Sequence, residues 1–311
     1  MLQSSGFGNR MITYRRKAWR SRYLLFMIAF PVIYLILFEY IPMYGAQIAF
    51  RHYNPFQGIW RSEWVGFYHF RQFFQSVFFV RLLRNTLVIS LIQLAFTFPL
   101  PIIIALMLNE VRNRYVKRSI QTIIYLPHFI SVVVVVGLVF AILSPYSGII
   151  NKLITLTGKP PVFFFNDPVY FPFILALTDV WQGTGWGTIV YLAAITSIDP
   201  TLYEAATVDG ANRFRQLVHI TIPAIMPTII TLFILRMGGL FSVGYQRILL
   251  LYNPTIYETA DVIQTFVYRR GITGQEYSFG TAVGLFNSLL NLILLVSFNK
   301  LMRRVSETSL W

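Results

Sequence analysis

Long apolar runs dominate this sequence and limit the folds that it can adopt. An α-helix needs about 20 mostly apolar residues to cross the hydrocarbon core of a bilayer, and six stretches approach that length. They lie at residues 23–43, 84–108, 120–143, 170–195, 225–249 and 278–299. Only 12% of the 311 residues are charged, against roughly a quarter in a soluble globular domain. The sequence therefore predicts an all-α polytopic membrane protein with six transmembrane helices.

The basic residues of the connecting segments predict which side of the membrane each segment faces. The two terminal tails and the segments 109–119 and 197–219 hold fifteen of the 26 lysines and arginines, whereas the alternate segments hold eight. Because positive residues favour the cytoplasm, we expect both termini to be cytoplasmic. The net charge of +14 then reflects topology rather than nucleic-acid binding, and Arg15, Arg16 and Lys17 act as topological anchors.

The first apolar stretch and the segment after it are expected to form the outward part of the chain. Residues 23–43 are too long for the apolar region of a signal peptide, and no small-residue cleavage site follows closely, so a retained helix is expected. Residues 44–83 are rich in aromatic side chains, among them Trp60 and Trp64. Such rings favour the membrane–water interface, which predicts an amphipathic helix on the outer face.

Most catalytic chemistries lack their residues in this sequence. The chain has no cysteine, its four histidines are scattered, and it contains no GxxxxGK phosphate loop. A non-enzymatic transport protein is therefore expected. One class of such proteins, the ion-coupled secondary transporters, carries ionisable residues near the midplane. The carboxylates within predicted spans are Asp179 and Glu39, and neither is expected at the midplane.

Small residues inside two spans predict close helix packing. The run 183–187 contains three glycines, and Gly280 and Gly284 lie four residues apart in the last span. Because the run 183–187 lies within a span and not in a strand–turn–helix context, it is not read as a nucleotide-binding loop. Glycine lets helix backbones approach one another closely in membranes.

The polar segment 204–223, "EAATVDGANRFRQLVHITIP", stands between two apolar spans on the predicted cytoplasmic side. Thr201 is expected to cap a short helix with Glu204 at its third position. Gly210 then ends this helix, a second helix starts near Ala211, and Pro223 leads into the fifth span. Spacing alone permits an ordinary pair of interfacial helices or a rigid cytoplasmic knob.

The same segment resembles the EAA motif of ABC importer permeases. Glu204-Ala205-Ala206 is followed after three residues by Gly210, and then after nine residues by Ile220-Thr221-Ile222-Pro223. The family pattern ends in I-x-L-P, so isoleucine at position 222 replaces the usual leucine. In that family the loop docks on a separate ATPase subunit. The resemblance implies this coupling role for Glu204, Ala205, Ala206, Asp209, Gly210 and Pro223.

Further matches extend the resemblance to most of the chain after residue 60. The segments 64–74 and 84–90 are similar to the start of sugar-importing permeases. Residues 252–272 and the last span resemble the oligo- and polysaccharide subgroup, including the larger permease subunit of alginate-oligosaccharide importers. The resemblance implies the type I ABC importer transmembrane fold and import of a saccharide, with an acidic uronate saccharide such as alginate favoured.

The resemblance also implies the surroundings of the chain. The expected partners are a second, non-identical permease subunit, two ATPase subunits, an extracytoplasmic solute-binding protein and membrane lipids, in the bacterial plasma membrane. This chain is expected to bind no cofactor or metal, and ATP and Mg are expected in the partner ATPase. Four parts follow: a basic tail (1–22), the first helix with the outward segment (23–78), the permease core (79–305, with the coupling loop at 201–223), and a tail (306–311).

Arg236 is the most informative charge within the predicted spans. It lies about eleven residues into the fifth span, or roughly 16 Å from its cytoplasmic start. A charge at that depth is costly unless it faces a cavity or a partner, and a guanidinium can hold a carboxylate in bidentate fashion. We therefore predict a solute pathway that is lined by Arg236, Gly239, Tyr245, Gln246 and Asn287.

Overall fold

The apolar runs fold as helices because a helix satisfies its own backbone hydrogen bonds where no water is available. The computed structural model describes residues 21–305 and residue 310, so Arg15, Arg16 and Lys17 lie outside the described residues. Within these residues, four helices are long and apolar enough to cross a membrane, and a bent helix pair gives a fifth. The four are Arg22–Phe50, Phe79–Glu110, Arg213–Met237 and Tyr277–Arg304.

The first apolar stretch forms one continuous helical run, and only its last segment packs closely against the rest of the described chain. It consists of α1 (Arg22–Leu35), a π-helical turn (Ile36–Tyr40), α2 (Ile41–Met43) and a 3-10 segment (Tyr44–Phe50). No residue of α1, of the π-helical turn or of α2 is buried. The apolar surface of this run is therefore left for lipid or for another protein chain.

The outward segment does not form the single amphipathic helix that its aromatic residues predicted. It contains β1 (Arg51–His52), α3 (Gly58–Arg61), β2 (Glu63–Trp64) and α4 (Tyr68–Phe74). The two strands pair antiparallel, with Arg51 opposite Trp64. Gly58 and Gly66 have φ of 71° and 59°, a conformation that glycine adopts easily and that reverses the chain. Turns at these glycines divide the segment into short elements.

The next helices along the chain form the bundle, and the last of them, α10, is its central helix. They are α5 (Phe79–Thr97), α6 (Pro99–Glu110), α7 (Arg114–Tyr125), a 3-10 turn (Leu126–Phe129), α8 (Val132–Leu143), α9 (Ile149–Leu156) and α10 (Phe171–Thr196). Thirteen of the 26 residues of α10 are buried, and α10 packs against α5 and α6. It is long enough to span a bilayer, but polar residues such as Asp179 and Gln182 keep it outside the count of strongly apolar helices.

The C-terminal part of the chain consists of the coupling segment, the fifth apolar helix and the last helix. Its elements are α11 (Pro200–Val208), α12 (Arg213–Gln216), a π-helical turn (Leu217–Thr221), α13 (Ile222–Met237), α14 (Tyr245–Leu251), a 3-10 turn (Pro254–Ile256), α15 (Tyr257–Ala260), α16 (Ile263–Phe266), a π-helical turn (Val267–Thr273) and α17 (Tyr277–Val305). The α17 helix packs against α13 and the 3-10 segment after α2.

Two predicted spans are interrupted, so the expectation of single helices at 120–143 and 225–249 is wrong. In the first, the chain bends by 103° between the helical segments on either side of residues 130–131. The Ser131 hydroxyl accepts a hydrogen bond from the N–H of Val134 and starts α8 afresh. In the second, α13 ends at Met237 and α14 begins only at Tyr245.

The interruption at 238–244 contains three glycines, which are poor helix formers. Side chains of neighbouring helices bond its backbone: the N–H of Phe241 donates to Asn291 Oδ1 at 2.9 Å, and the Ser90 hydroxyl donates to the carbonyl of Leu240. Non-helical backbone at membrane depth is tolerated where protein satisfies it or where it lines a cavity. Hydrogen bonds from neighbouring helices therefore stabilise this break.

Two of the glycines predicted to allow close packing, Gly185 and Gly280, lie against the backbone of another element, whereas Gly183 and Gly284 do not. A Cβ placed on Gly185 would lie 1.9 Å from the carbonyl oxygen of Ile124, and one on Gly280 would lie 2.7 Å from the Cα of Gly271. A Cβ on Gly183 or Gly284 would meet nothing within 4 Å. The close packing predicted from small residues is thus confirmed at Gly185 and Gly280.

We expect Gly185→Ala to destabilise the protein, because its methyl group must displace the α7 backbone. Overpacking of this kind costs about 1–3 kcal/mol. Gly183→Ala, on the same helix with open space around it, should leave stability unchanged or raise it, since alanine favours the helix. Thermal unfolding of the purified protein in detergent compares the two. Equal melting temperatures would contradict the assigned contact.

Candidate functional site

A cavity of about 500 Å³ lies between α5, α6, α10 and α13. The non-helical residues 238–244 close one side of it, and Trp186 and Tyr191 supply aromatic surface. Among the described residues that line it, Asp179 is the only carboxylate and Arg236 the only guanidinium. Its size and mixed lining are those of a site for a small ligand.

Asp179 is held by a hydrogen-bonded network. Its carboxylate forms an ion pair with Arg247 and accepts a hydrogen bond from Gln93 Nε2 at 2.5 Å. Arg247 also donates to the side-chain oxygen of Gln182, whose Nε2 donates to the carbonyl of Ile130 at 2.7 Å. The Arg247 and Asp179 side chains are 11% and 23% exposed, so the carboxylate is largely withdrawn from solvent and neutralised by its partner.

Arg236, in contrast, is exposed on the cavity wall. Its guanidinium makes no hydrogen bond or ion pair with any residue between 21 and 305. It lies in the last turn of α13, where the partial negative charge of a helix C-terminus favours a cation. The helix that carries Arg236 starts earlier than expected, because it runs unbroken for 25 residues from Arg213 to Met237.

The other predicted pathway residues are divided among three places. Gly239 lines the same cavity as Arg236. Tyr245 and Gln246 lie in a separate open groove beside it. Asn287 is 7% exposed, lines neither space, and its Oδ1 has no hydrogen-bond partner in the described part of the chain.

Sequence reasoning missed the Asp179–Arg247 pair. Both residues are ionisable and lie within or beside apolar spans, where charges are generally paired. Asp179 was noted only as a carboxylate within a span, and Arg247 lies near the end of the predicted span 225–249, which the structure interrupts. The available signal was that two opposite charges in apolar surroundings each need a partner.

The predicted coupling loop begins differently from the expectation. Asp199, not Thr201, caps α11, and its carboxylate accepts a hydrogen bond from the N–H of Thr201 at 2.9 Å. Pro200 has no N–H and occupies the first helical position, so the cap lies two residues earlier than predicted. The hydrogen bond from Thr201 lowers the pKa of Asp199. Glu204 is therefore beyond the cap, exposed, and without a partner among the described residues.

Gly210 ends α11 as predicted. Its φ is 77°, in the left-handed region where a side chain is strained. The next helix starts at Arg213 rather than near Ala211, because Asn212 caps it by accepting from the N–H of Arg215 at 2.9 Å. From there the helix continues through Pro223 into α13 without interruption.

Side-chain contacts hold the two arms of this loop together. The Tyr203 hydroxyl lies 2.9 Å from Thr221 Oγ1, and Gln216 Nε2 donates to Thr207 Oγ1 at 2.9 Å. An ion pair joins Arg213 to Glu110 at the end of α6. The hydrogen bonds link the two arms of the loop to each other, and the ion pair attaches the loop to the end of α6.

Three apolar side chains are exposed on the surface of this loop. Leu202, Val208 and Phe214 are 50%, 88% and 71% exposed. Glu204 and Ala205 lie exposed on the first arm, Ala206 is half-buried, and Asp209 follows at its end. An exposed apolar surface of this kind is typical of a protein–protein contact.

Comparison with known proteins identifies the family and the fold of the chain. Residues 97–307 match the family described as binding-protein-dependent transport system inner membrane component. The chain belongs to this family. Membership decides between the two classes of transporter that the sequence left open, in favour of the ABC importer permease. It also confirms the family that the motif at 204–223 indicated.

Two curated relatives from Bacillus subtilis (strain 168) align over nearly the whole chain. One is Protein LplB, 44% identical over 293 residues, which are 94% of this chain and 92% of the relative. The other is the polygalacturonan/rhamnogalacturonan transport system permease protein YteP, 44% identical over 295 residues, which are 95% and 92%. The similarity therefore includes the first helical run as well as the permease core.

Two solved structures show the type I ABC importer permease fold. One is the crystal structure of a bacterial ABC transporter involved in the import of the acidic polysaccharide alginate, with a TM-score of 0.86 and 43% identity over 94% of this chain and 99% of that chain. The other is a bacterial alginate ABC transporter in complex with an alginate pentasaccharide-bound periplasmic protein, with the same TM-score and identity over 95% and 99%.

Proposed function

We propose that this chain is the permease subunit of an ABC importer for an acidic oligosaccharide, with uronate saccharides such as alginate or galacturonan as the substrate class. The observation that carries the proposal is Arg236, which has no partner among the described residues and lines a cavity whose carboxylate is already neutralised by Arg247. A guanidinium binds carboxylates in a bidentate manner. The substrates named for the polygalacturonan permease and the alginate importer are of this acidic class.

The proposed topology has six spans and both termini in the cytoplasm of a bacterial plasma membrane. It adds α10, which is long enough to cross, to the five apolar spans counted with the bent pair. The excess of basic residues in the tails and in the segments 109–119 and 197–219 supports this orientation. The chain is proposed to have the parts predicted from the sequence: a basic tail, a first helix with an outward segment, and a permease core.

The proposed assembly contains a second, non-identical permease, two ATPase subunits and an extracytoplasmic solute-binding protein. The unburied apolar surface of α1 supports contacts with lipid and with the second permease. The exposed apolar residues of the coupling loop support docking on an ATPase. ATP and Mg are proposed to bind in that ATPase, and the binding protein is proposed by analogy with the periplasmic protein of the alginate complex.

Gly210→Val is expected to abolish saccharide-stimulated ATP hydrolysis, because the β-branched side chain cannot adopt the left-handed backbone and reshapes the coupling loop. The measurement uses the complex in proteoliposomes with galacturonate oligosaccharides and the binding protein. Gly158→Val is the matched control: Gly158 has φ of 79°, a Cβ placed on it would meet no atom within 4 Å, and it lies in an outward segment. Both variants carry the same strain, but Gly158→Val should keep its stimulation. Normal stimulation in Gly210→Val would refute the coupling role.

Arg236→Met is expected to reduce transport of acidic oligosaccharides about tenfold or more, since a hydrogen bond to a charged group contributes about 1.5–3 kcal/mol. Neutral oligosaccharides of the same length should lose far less, and Arg236→Lys should retain part of the acidic preference. Uptake by reconstituted vesicles measures all three. Normal transport of acidic substrate by Arg236→Met would show that Arg236 is not part of the recognition site.

A further inference from the structure

A second space lies beside the Arg236 cavity, and its lining includes four tyrosines together with the apolar side chains of Val132, Val133, Leu249 and Leu250. This tyrosine groove has a volume of about 840 Å³ and runs between the first turn of α8, the helix α14 and the segment 252–273. The polar and aromatic side chains that line it are Tyr245, Gln246, Tyr252, Tyr257, Tyr268 and Arg269. Tyr245 and Tyr268 are 36% and 41% exposed, so their rings are available to a ligand.

Arg269 is fixed at one end of the tyrosine groove. Its two terminal nitrogens lie 3.1 and 2.6 Å from the two carboxylate oxygens of Asp261, which is fully buried. The guanidinium lies 4.5 Å from the centre of the Tyr257 ring, and the Tyr252 ring packs against Tyr257 with 4.8 Å between the ring centres. Such bidentate pairing and stacking give the arginine one orientation.

The charge at this end of the groove is positive. Arg81 also approaches Asp261, at 3.8 Å. One carboxylate therefore serves two guanidinium groups, and one formal positive charge is left over. Arg81 and Arg269 are 30% and 32% exposed, so this charge is in contact with solvent and can face a carboxylate.

The groove adjoins the cavity across the start of α14. Gly244 lines the cavity, and the next residue, Tyr245, lines the groove. Arg247, two residues further along α14, directs its guanidinium back to Asp179 at the cavity. The two spaces are therefore lined by consecutive residues of the chain at the start of α14.

We propose that the tyrosine groove is a second saccharide site, which binds further uronate units of a chain whose leading unit lies at Arg236. The proposal rests on the proposed function. Tyrosine faces carry a negative quadrupole that attracts the C–H groups of a sugar ring. The phenol hydroxyls and the Gln246 amide can bond sugar hydroxyls, and Arg269 can face a carboxylate. Together these groups offer an acidic oligosaccharide stacking surfaces, hydrogen-bond partners and a cation, beside the apolar side chains of the groove.

The test compares two substrate lengths in the reconstituted complex with its binding protein. The variants are Tyr245→Ala and Tyr268→Ala, and the probes are a galacturonate disaccharide and a galacturonate pentasaccharide. We expect uptake of the pentasaccharide to fall at least fivefold, with uptake of the disaccharide within twofold of the wild type. Tyr245→Phe and Tyr268→Phe should keep most of the activity, because the ring faces remain. Tyr146→Ala is the matched control, since Tyr146 is 85% exposed and lies outside both spaces.

Several results would overturn the proposal. An equal loss for both substrate lengths would make the tyrosines part of the general transport machinery, and no loss would remove them from the pathway. Loss of the second permease from the purified complex would make the groove a subunit contact. If the wild-type complex transports neither acidic probe, the proposed function fails and the groove assignment with it. A loss confined to the longer probe supports both.

Discussion

The ion pair between Asp179 and Arg247 is the interaction on which the rest of the site depends. With Gln93 and Gln182 it joins α5, α10, α14 and the backbone at the bend after α7. Removing one member of a buried pair leaves the other charge without a partner, which costs about 3–5 kcal/mol. The pair also determines the charge of the cavity. Because Asp179 is occupied, Arg236 remains as the uncompensated charge on the wall.

The interrupted helices give this site its shape. A straight helix at 225–249 would place apolar side chains where residues 238–244 now form the cavity wall, and a straight helix at 120–143 would remove the bend whose carbonyl at Ile130 bonds Gln182. Transporters commonly place solute sites where membrane helices are discontinuous, because freed backbone groups and helix ends face the site there. The position of Arg236 at the end of α13 agrees with this arrangement.

The sequence predicted the class of the protein, most helical segments and the left-handed glycine of the coupling loop, because apolar length and motif spacing are local properties. It did not predict the strands β1 and β2 or the breaks, and the break at 238–244 depends on contacts from distant residues such as Ser90 and Asn291. Arg236 was found from its cost in an apolar span, and the cavity agrees with that reasoning. The pairing of Asp179 with Arg247 required the spatial position of α14, which begins only after the break.

The charge of the cavity makes the account directly testable without any substitution. The measurement is ATP hydrolysis by the reconstituted wild-type complex, stimulated by a uronate oligosaccharide and by the same oligosaccharide after its carboxylates are reduced to alcohols. A binding protein loaded equally with either saccharide removes its own preference from the comparison. The unpaired Arg236 predicts clearly stronger stimulation by the acidic form, and a decline in that advantage as salt is added. Equal stimulation by the two forms would contradict a cavity built to receive an anionic sugar.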